Sequence, residues 1–284
     1  MKTIQELIGV HFDIPAEEYH RLPGASASIL RKLYQSTPAH LKLMMDEPME
    51  PNAAMMLGTL GHAMVLEPNK PLPKIVLYPE KYPKKDGSME KWNNNAGFCR
   101  DWIKTQKASG YTPVTQKTLD EACGASAALS RHELARPILK DCRTEVTLVT
   151  MDSTNDIAVR CRMDIVPTGN FLADCKFSHT VTEREWTKYA YSAGYHIQAA
   201  LYLFVWNALV GEEWKKQDFK FIVVENKPPF DLNVFKCTPE FIAKGWEQVV
   251  RLLPVFANCV RTGVWPGSPA IERVLDVPKY AKET

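Results

Sequence analysis

Asp174-Cys175-Lys176 sets a carboxylate and an amine two residues apart within a β-branched, apolar run. Side chains alternate along a strand, so Asp174 and Lys176 share one face and Cys175 turns to the other, toward a core. Asp164 stands on the run before it. Hard oxygen ligands from two acids suit Mg²⁺ or Mn²⁺, and a neighbouring ammonium can orient water and offset charge on a phosphate in the transition state. The acid-x-lysine pattern recurs at Glu213-Trp214-Lys215, Asp218-Phe219-Lys220 and Glu225-Asn226-Lys227. The first falls in a helix-to-strand connection and the second only reaches the start of a strand. The third sits at a strand end and competes, but lacks an acid on a strand joined to it by a tight turn.

The elements that must position these groups follow from the pattern around them. Residues 145–151, 157–166 and 171–177 read as three antiparallel strands, separated by the turn-forming runs 152–156 and 167–170. For Asp164 to stand opposite Asp174, the second hairpin must centre on Gly169, which a three-residue loop Thr168-Gly169-Asn170 provides. Glycine and asparagine tolerate the left-handed backbone that such loops use. An even loop would send the two acids to opposite faces. The same register puts Arg162 opposite Lys176, as a phosphate contact or as a partner for the acids.

Upstream, residues up to about 68 read as helical. Ser26 and Ser28 offer caps, Thr37-Pro38 starts a second helix, and a third over 53–67 stops at Pro68. This third helix holds His62, a core residue or a ligand, and Gly58 and Gly61, whose helix cost of up to ~1 kcal/mol each suggests close backbone approach. Residues 69–115 form an excursion with one helix over 96–107, and another helix runs over 119–139. After the strands come a helix over 191–210, strands at 219–224 and 231–236, and a helix over 239–260. Gln198 and Tyr202, four apart, share a helix face just after the Asp174 strand, and His196 lies on another. The order implies an α/β (α+β) fold in one domain, 1–284: a mainly helical part to 140, then a sheet with flanking helices.

Lysine and arginine number 35 and aspartate and glutamate 33, a balance of +2 that neither demands nor excludes nucleic acid. Locally, 81–107 holds seven basic residues (Lys81, Lys84, Lys85, Lys91, Arg100, Lys104, Lys107) against Asp86, Glu90 and Asp101, with Trp92 and Trp102 interleaved. This is either a solvated surface or a phosphate-contacting face. Seven cysteines without a C-x-x-C pair argue against a disulfide framework or zinc site. No apolar run reaches the ~18 residues of a membrane span, and the N-terminus lacks a signal-peptide core, so a reduced, cytoplasmic protein is expected.

The order of motifs resembles the PD-(D/E)XK nucleases of the RecB and exonuclease VIII (RecE) group: G-x-x-x-H on an N-terminal helix, an Asp, D-x-K one hairpin later, Q-x-x-x-Y on a helix. The stretches 26–30, 36–40, 58–68 and 262–267 are similar to the prophage exonuclease VIII branch. The resemblance implies a central mixed sheet flanked by helices with an N-terminal helical extension. It implies that His62, Asp164 and Asp174 bind Mg²⁺, with Mn²⁺ able to substitute, together with the Cys175 carbonyl. Lys176 would be catalytic, with Gln198 and Tyr202 supporting the site or contacting DNA. Glu145 matches an acid of some relatives. Met163 stands where the family's proline would precede Asp164, and the iron–sulfur cysteines of some branches are missing. The implied activity is hydrolysis of linear double-stranded DNA from an end, 5′ to 3′, in phage-type recombination. A single-strand annealing protein would be the partner and a homo-oligomeric ring the assembly. An endonuclease on the same fold, or a catalytically idle DNA-binding module, are the competing readings.

Overall fold

The computed structural model describes residues 4–47 and 51–277. In chain order the elements are β1 (Gly9–His11), α1 (Ala16–Arg21), α2 (Ala27–Gln35), α3 (Pro38–Asp46), α4 (Ala53–Leu66), β2 (Ile75–Leu77), β3 (Lys81–Pro83), β4 (Met89–Lys91), α5 (Gly97–Ala108), β5 (Thr112–Val114), α6 (Gln116–Arg131) and α7 (Ala135–Lys140). The second half holds β6 (Cys142–Asp152), β7 (Ile157–Pro167), β8 (Phe171–Ser178), α8 (Glu183–Ser192), α9 (Tyr195–Leu209), β9 (Asp218–Glu225), β10 (Leu232–Lys236) and α10 (Pro239–Thr262). Residues 1–3, part of the N-terminal stretch expected to lack a signal-peptide core, lie outside the described residues.

The caps expected at Ser26 and Thr37 form, and Thr238 adds one that the sequence reading did not single out. Ser26 accepts from the Ile29 N–H at the start of α2, Thr37 from His40 ahead of Pro38, and Thr238 from Phe241. Ser28 instead lies inside α2, its hydroxyl bonded to that of Ser26. Three expectations change. Residues 9–11 form a strand within the stretch read as helical. The helix expected over 119–139 is two, α6 and α7, with His132 ending the first. The helix expected over 191–210 begins only at Tyr195, because Gly194 adopts a left-handed backbone (φ 75°) and separates α9 from α8. The excursion over 69–115 adds four short strands to its one helix.

The main sheet has the order β1-β6-β7-β8-β9-β10 and is mixed: β8 and β9 are parallel and every other neighbouring pair is antiparallel. A parallel pair needs a crossover, which α8 and α9 supply. The hairpin loop is Thr168-Gly169-Asn170, and Ile165 pairs with Ala173, the register centred on Gly169. Neither Gly169 nor Asn170 uses a positive φ. The loop is held instead by the buried Lys216 ammonium, which donates to the Pro167 and Gly169 carbonyls at 2.9 and 2.6 Å.

Two cores sandwich the sheet. On one face α2, α9 and α10 pack over Val146, Leu148, Cys161, Met163 and Leu172; on the other α4, α6 and α7 pack over Ile165, Ala173, Cys175 and Ile222. A regular pleat would put Met163 and Ile165 on one face. Here they enter opposite cores. On β6 the same switch occurs: Val146 packs under α9, while the Thr144 hydroxyl donates to the Leu66 carbonyl of α4. The residue between them, Glu145, has φ 55°, and this left-handed kink inverts the pleat.

Among the described residues no helix is long and apolar enough to cross a membrane. In the α9–α10 layer His196 is wholly buried, with neither ring nitrogen hydrogen-bonded. It stacks on Tyr191 at 4.5 Å, edge-on to Tyr34 and Phe241, and the backbone of α10 approaches at Gly245, where a Cβ would lie 1.9 Å from the His196 carbonyl oxygen. Burial, then the Arg31 charge, push the imidazole down to about 4. The unfolded chain would therefore hold a proton that the folded chain lacks between pH 6.5 and about 4. Stability should fall with pH across that window, and His196→Phe should remove about 2–3 kcal/mol of the fall. Urea unfolding of parent and variant at pH 7 and pH 4.5 measures it; equal pH dependence in the two would show that His196 does not contribute.

Candidate active site

The pleat inversion opens an acidic cleft between the two layers. Pairs on either side, Thr144–Ile165 and Val146–Met163, set Glu145 opposite Asp164, and the Ile165–Ala173 register sets Asp164 opposite Asp174. Three carboxylates thus form one row across β6, β7 and β8. Beyond Ile165 the β7–β8 ladder gives way, and the Asp164 Oδ2 carboxylate accepts the Cys175 N–H at 3.0 Å.

Each layer brings a side chain to this row. From α4, His62 Nε2 donates to the Cys175 carbonyl at 2.9 Å and lies 3.6 Å from Asp164 Oδ2. From α9, the Gln198 amide donates to Asp174 Oδ1, and its own oxygen accepts from the Arg31 guanidinium at 3.5 Å. Lys176 forms an ion pair with Asp174 Oδ2 and lies over the Tyr195 ring, 5.0 Å from its centroid. That Oδ2 is buried and has no directional hydrogen bond. Glu145 is paired with Arg162, which also donates to Thr147 Oγ1 and the Ile14 carbonyl. Of the two roles open to Arg162, the structure shows partnership with an acid. His62, Glu145, Arg162, Asp164, Asp174, Lys176, Gln198 and Tyr202 all line one cleft of about 450 Å³, while the Cys175 side chain points into the core and offers only its backbone. Tyr202 is packed against Phe219, its phenol raised well above the ordinary range by burial.

The electrostatics follow from the crowding. Burial, then the Asp174 charge, raise the Asp164 carboxyl to about 7, with His62 and Lys176 pulling the other way. Burial works against the Lys176 ammonium, but Asp174, Tyr195 and Asp164 outweigh it and raise its pKa above the ordinary value. A lysine held protonated cannot act as a general base; it can donate hydrogen bonds and offset negative charge. One nitrogen of His62 and carboxylate oxygens of Glu145 and Asp164 lie within 4.8 Å of one another, a donor set that suits a divalent cation. The Cys175 carbonyl, 2.9 Å from His62 Nε2, is at the separation of adjacent ligands on an ion with ~2.1 Å bonds.

Sequence reasoning missed Arg31, Tyr19 and His20, which also line the cleft. Arg31 offered no signal beyond being one of several polar residues of α2. The competing Glu225-Asn226-Lys227 lies away from the cleft: Glu225 accepts the Asp231 N–H, and Lys227 lines a separate depression with Lys117.

Residues 26–272 match the family described as "PDDEXK-like domain of unknown function (DUF3799)". No curated protein matches the chain. Among solved structures, a protein of Eubacterium rectale provisionally named an exonuclease is similar over 96% of this chain and 98% of its own, with TM-score 0.62 and 15% identity. At that identity the likeness speaks to the fold. A phage-related exonuclease of Haemophilus somnus 129PT (TM-score 0.33, 12% identity, 78% of this chain and 100% of that one) and an alkaline exonuclease of Laribacter hongkongensis (TM-score 0.30, 14% identity, 60% and 86%) resemble it more distantly.

The seating of α4 on β8 depends on Gly61, where a Cβ would meet the Phe177 ring at 2.2 Å, whereas a Cβ on Gly58 would meet nothing within 4 Å. Close approach therefore explains one of the two glycines. Gly61→Ala should cost about 1–3 kcal/mol by overpacking, while Gly58→Ala should gain up to ~1 kcal/mol from helix propensity. Chemical denaturation of the two variants checks this, and equal effects would show that Phe177 yields freely.

Proposed function

The chain belongs to the PDDEXK-like family DUF3799, and from that premise we propose that it is a divalent-metal-dependent exonuclease acting on linear double-stranded DNA. The observation that carries the reading is the meeting of His62, Glu145, Asp164, Asp174 and Lys176 in one cleft around the Cys175 carbonyl. The donor set fits Mg²⁺ or Mn²⁺: two carboxylates and one imidazole within 4.8 Å of one another, with a third carboxylate on the adjacent strand. His62, Asp164, Asp174 and the Cys175 carbonyl would hold the ion, with Glu145 beside them. The bound ion would supply a Lewis acid for a phosphodiester oxygen and acidify a water.

The residues divide the remaining work. Gln198, its oxygen engaged by Arg31, can present only its NH₂ to Asp174, which orients that carboxylate. Lys176, fixed by Asp174, donates toward the water or the phosphoryl group and offsets charge developing in the transition state. Tyr202 and Gln198 wall the cleft from the α9 side. In the net reaction one water adds across one P–O bond, leaving a phosphate and a hydroxyl. Polarity from 5′ to 3′, a single-strand annealing partner, a ring-shaped oligomer and a place in phage-type recombination are extensions of this reading that come from the resemblance to exonuclease VIII.

Activity should require Mg²⁺ or Mn²⁺, with Ca²⁺ supporting binding without cleavage, because Ca²⁺ accepts looser geometry and activates water less. Lys176→Ala should lower cleavage by about 10²-fold or more while leaving duplex binding nearly intact, and Lys227→Ala should cut like the parent. A time course on end-labelled linear duplexes and covalently closed circles, with and without chelator, tests all of this. Full activity in chelator would remove the metal, and rapid breakage of closed circles would replace the exonuclease with an endonuclease.

A further inference from the structure

The basic segment 81–107 is untouched by the catalytic reading. It contains seven of the 35 basic residues and three of the 33 acidic ones, so it carries +4 while the rest of the chain carries −2. The structure folds it into the β3–β4 hairpin packed on α5. Tyr82 stacks on Phe98 of α5 at 6.2 Å, and Trp92, Trp102 and Tyr78 close into a cluster with centroids 5.2–6.0 Å apart. The tryptophans interleaved with the lysines are thus spent on holding the hairpin to its helix. They offer no open platform for stacked bases.

The other face of the hairpin is different. Tyr82 and Glu90 face α5, so Lys81, Pro83, Met89 and Lys91 point away from it, and all four are exposed. Lys81 pairs directly with Lys91 across the two strands. Like charges placed opposite one another destabilise a ladder, and a two-stranded hairpin has little stability to spare. Of the hairpin's two acids, Glu90 is engaged on the far face by Lys84 and Tyr82, and Asp86 accepts from the Ser88 N–H and hydroxyl within the turn. Among the described residues no acid forms an ion pair with Lys81 or Lys91. The turn adds the exposed Lys85. The whole unit grows from the rim of the catalytic cleft: Pro73, just before β2, lines that cleft together with His62.

We propose that the β3–β4 hairpin is a phosphate-binding arm for duplex DNA, in which Lys81 and Lys91 share the anionic backbone next to the cleft. The assignment rests on the nuclease reading for the identity of the polyanion. A facing lysine pair relieved by a phosphate gives a charge-driven contact that ignores sequence, and a two-stranded ribbon is of a size that a DNA groove admits. The tryptophans, half-buried and packed on each other and on Tyr78, do not stand free to take stacked bases, which favours duplex over single-stranded nucleic acid.

Binding of a fluorescent 30-base-pair duplex in chelator, at several salt concentrations, tests the arm without cleavage. Lys81→Gln/Lys91→Gln should weaken binding severalfold at 100 mM salt and flatten the plot of log Kd against log salt by about 2, roughly one for each phosphate contact. Lys81→Arg/Lys91→Arg should keep the parental slope, and neither variant should melt below the parent. Hydrolysis of the p-nitrophenyl ester of thymidine 5′-monophosphate with Mn²⁺, which lacks flanking phosphates, should be equal in all three and tests the catalytic reading separately. An unchanged affinity and slope in the glutamine variant would overturn the arm even if the ester is cleaved. A larger loss of affinity for single strands than for duplex would overturn its assignment to duplex.

Discussion

Three carboxylates in one row across adjacent strands repel one another, and a regular sheet would bury them against a single apolar layer. The left-handed kink at Glu145 avoids this by inverting the pleat, so that β6 and β7 each change faces where the acids stand. The acids therefore come to lie at the seam between two layers, where polar groups can reach them from both. A non-glycine residue with a positive φ inside a strand costs of order 1–3 kcal/mol and persists only where its surroundings over-determine it. Around Glu145 these are the Arg162 guanidinium, itself tied to Thr147 and to the Ile14 carbonyl, and regular ladder pairs on both sides.

The seam also explains why the partners come from such distant parts of the chain. His62 approaches the Cys175 carbonyl from α4, on the Cys175 side of β8, while Gln198 meets Asp174 from α9 on the opposite side. Consecutive residues of one strand thus recruit one helix each. The α4 layer can come this close because Gly61 leaves room for Phe177, the residue after Lys176. The α9 layer is located by the left-handed turn at Gly194, and Arg31 of α2 donates to the Ala193 carbonyl at that turn while also holding Gln198. Packing of the two cores and placement of the groups that line the cleft are one geometric problem.

Much of this was legible from residue spacing. The alternation in Asp174-Cys175-Lys176 fixed which side chains face the cleft and which the core, and the three-residue loop fixed the hairpin register. What escaped notice has physical reasons. Residues 183–192 are polar on average, with only Trp186 and Ala190 buried four residues apart and Gly194 just beyond, so α8 merged with the connection before α9. Residues 9–11 are too short for a strand period and are ordered by pairing with β6. Glu145 stood only as a weak match because nothing in its neighbours announces a positive φ. Arg31 is 167 residues from Gln198 in the chain, and local pattern is blind to a contact of that range.

The same electrostatics constrain what can enter the cleft. Arg162 answers Glu145 and Lys176 answers Asp174, and Asp164, its carboxyl raised by burial and then by the Asp174 charge, is left without a lysine or arginine of its own. On the proposed reading, a divalent cation held by these acids would make the cleft acceptable to a phosphodiester, and the metal would serve binding at the reacting centre as well as chemistry. Away from the row the protein must supply attraction by other means, since the chain outside 81–107 is net negative. Placing the positive charge on an arm rooted at the cleft rim keeps it out of the buried acid cluster, where further lysines would compete with the cation for the same carboxylates. On that reading, separation of the two charge systems would let one chain bind a polyanion and a cation side by side.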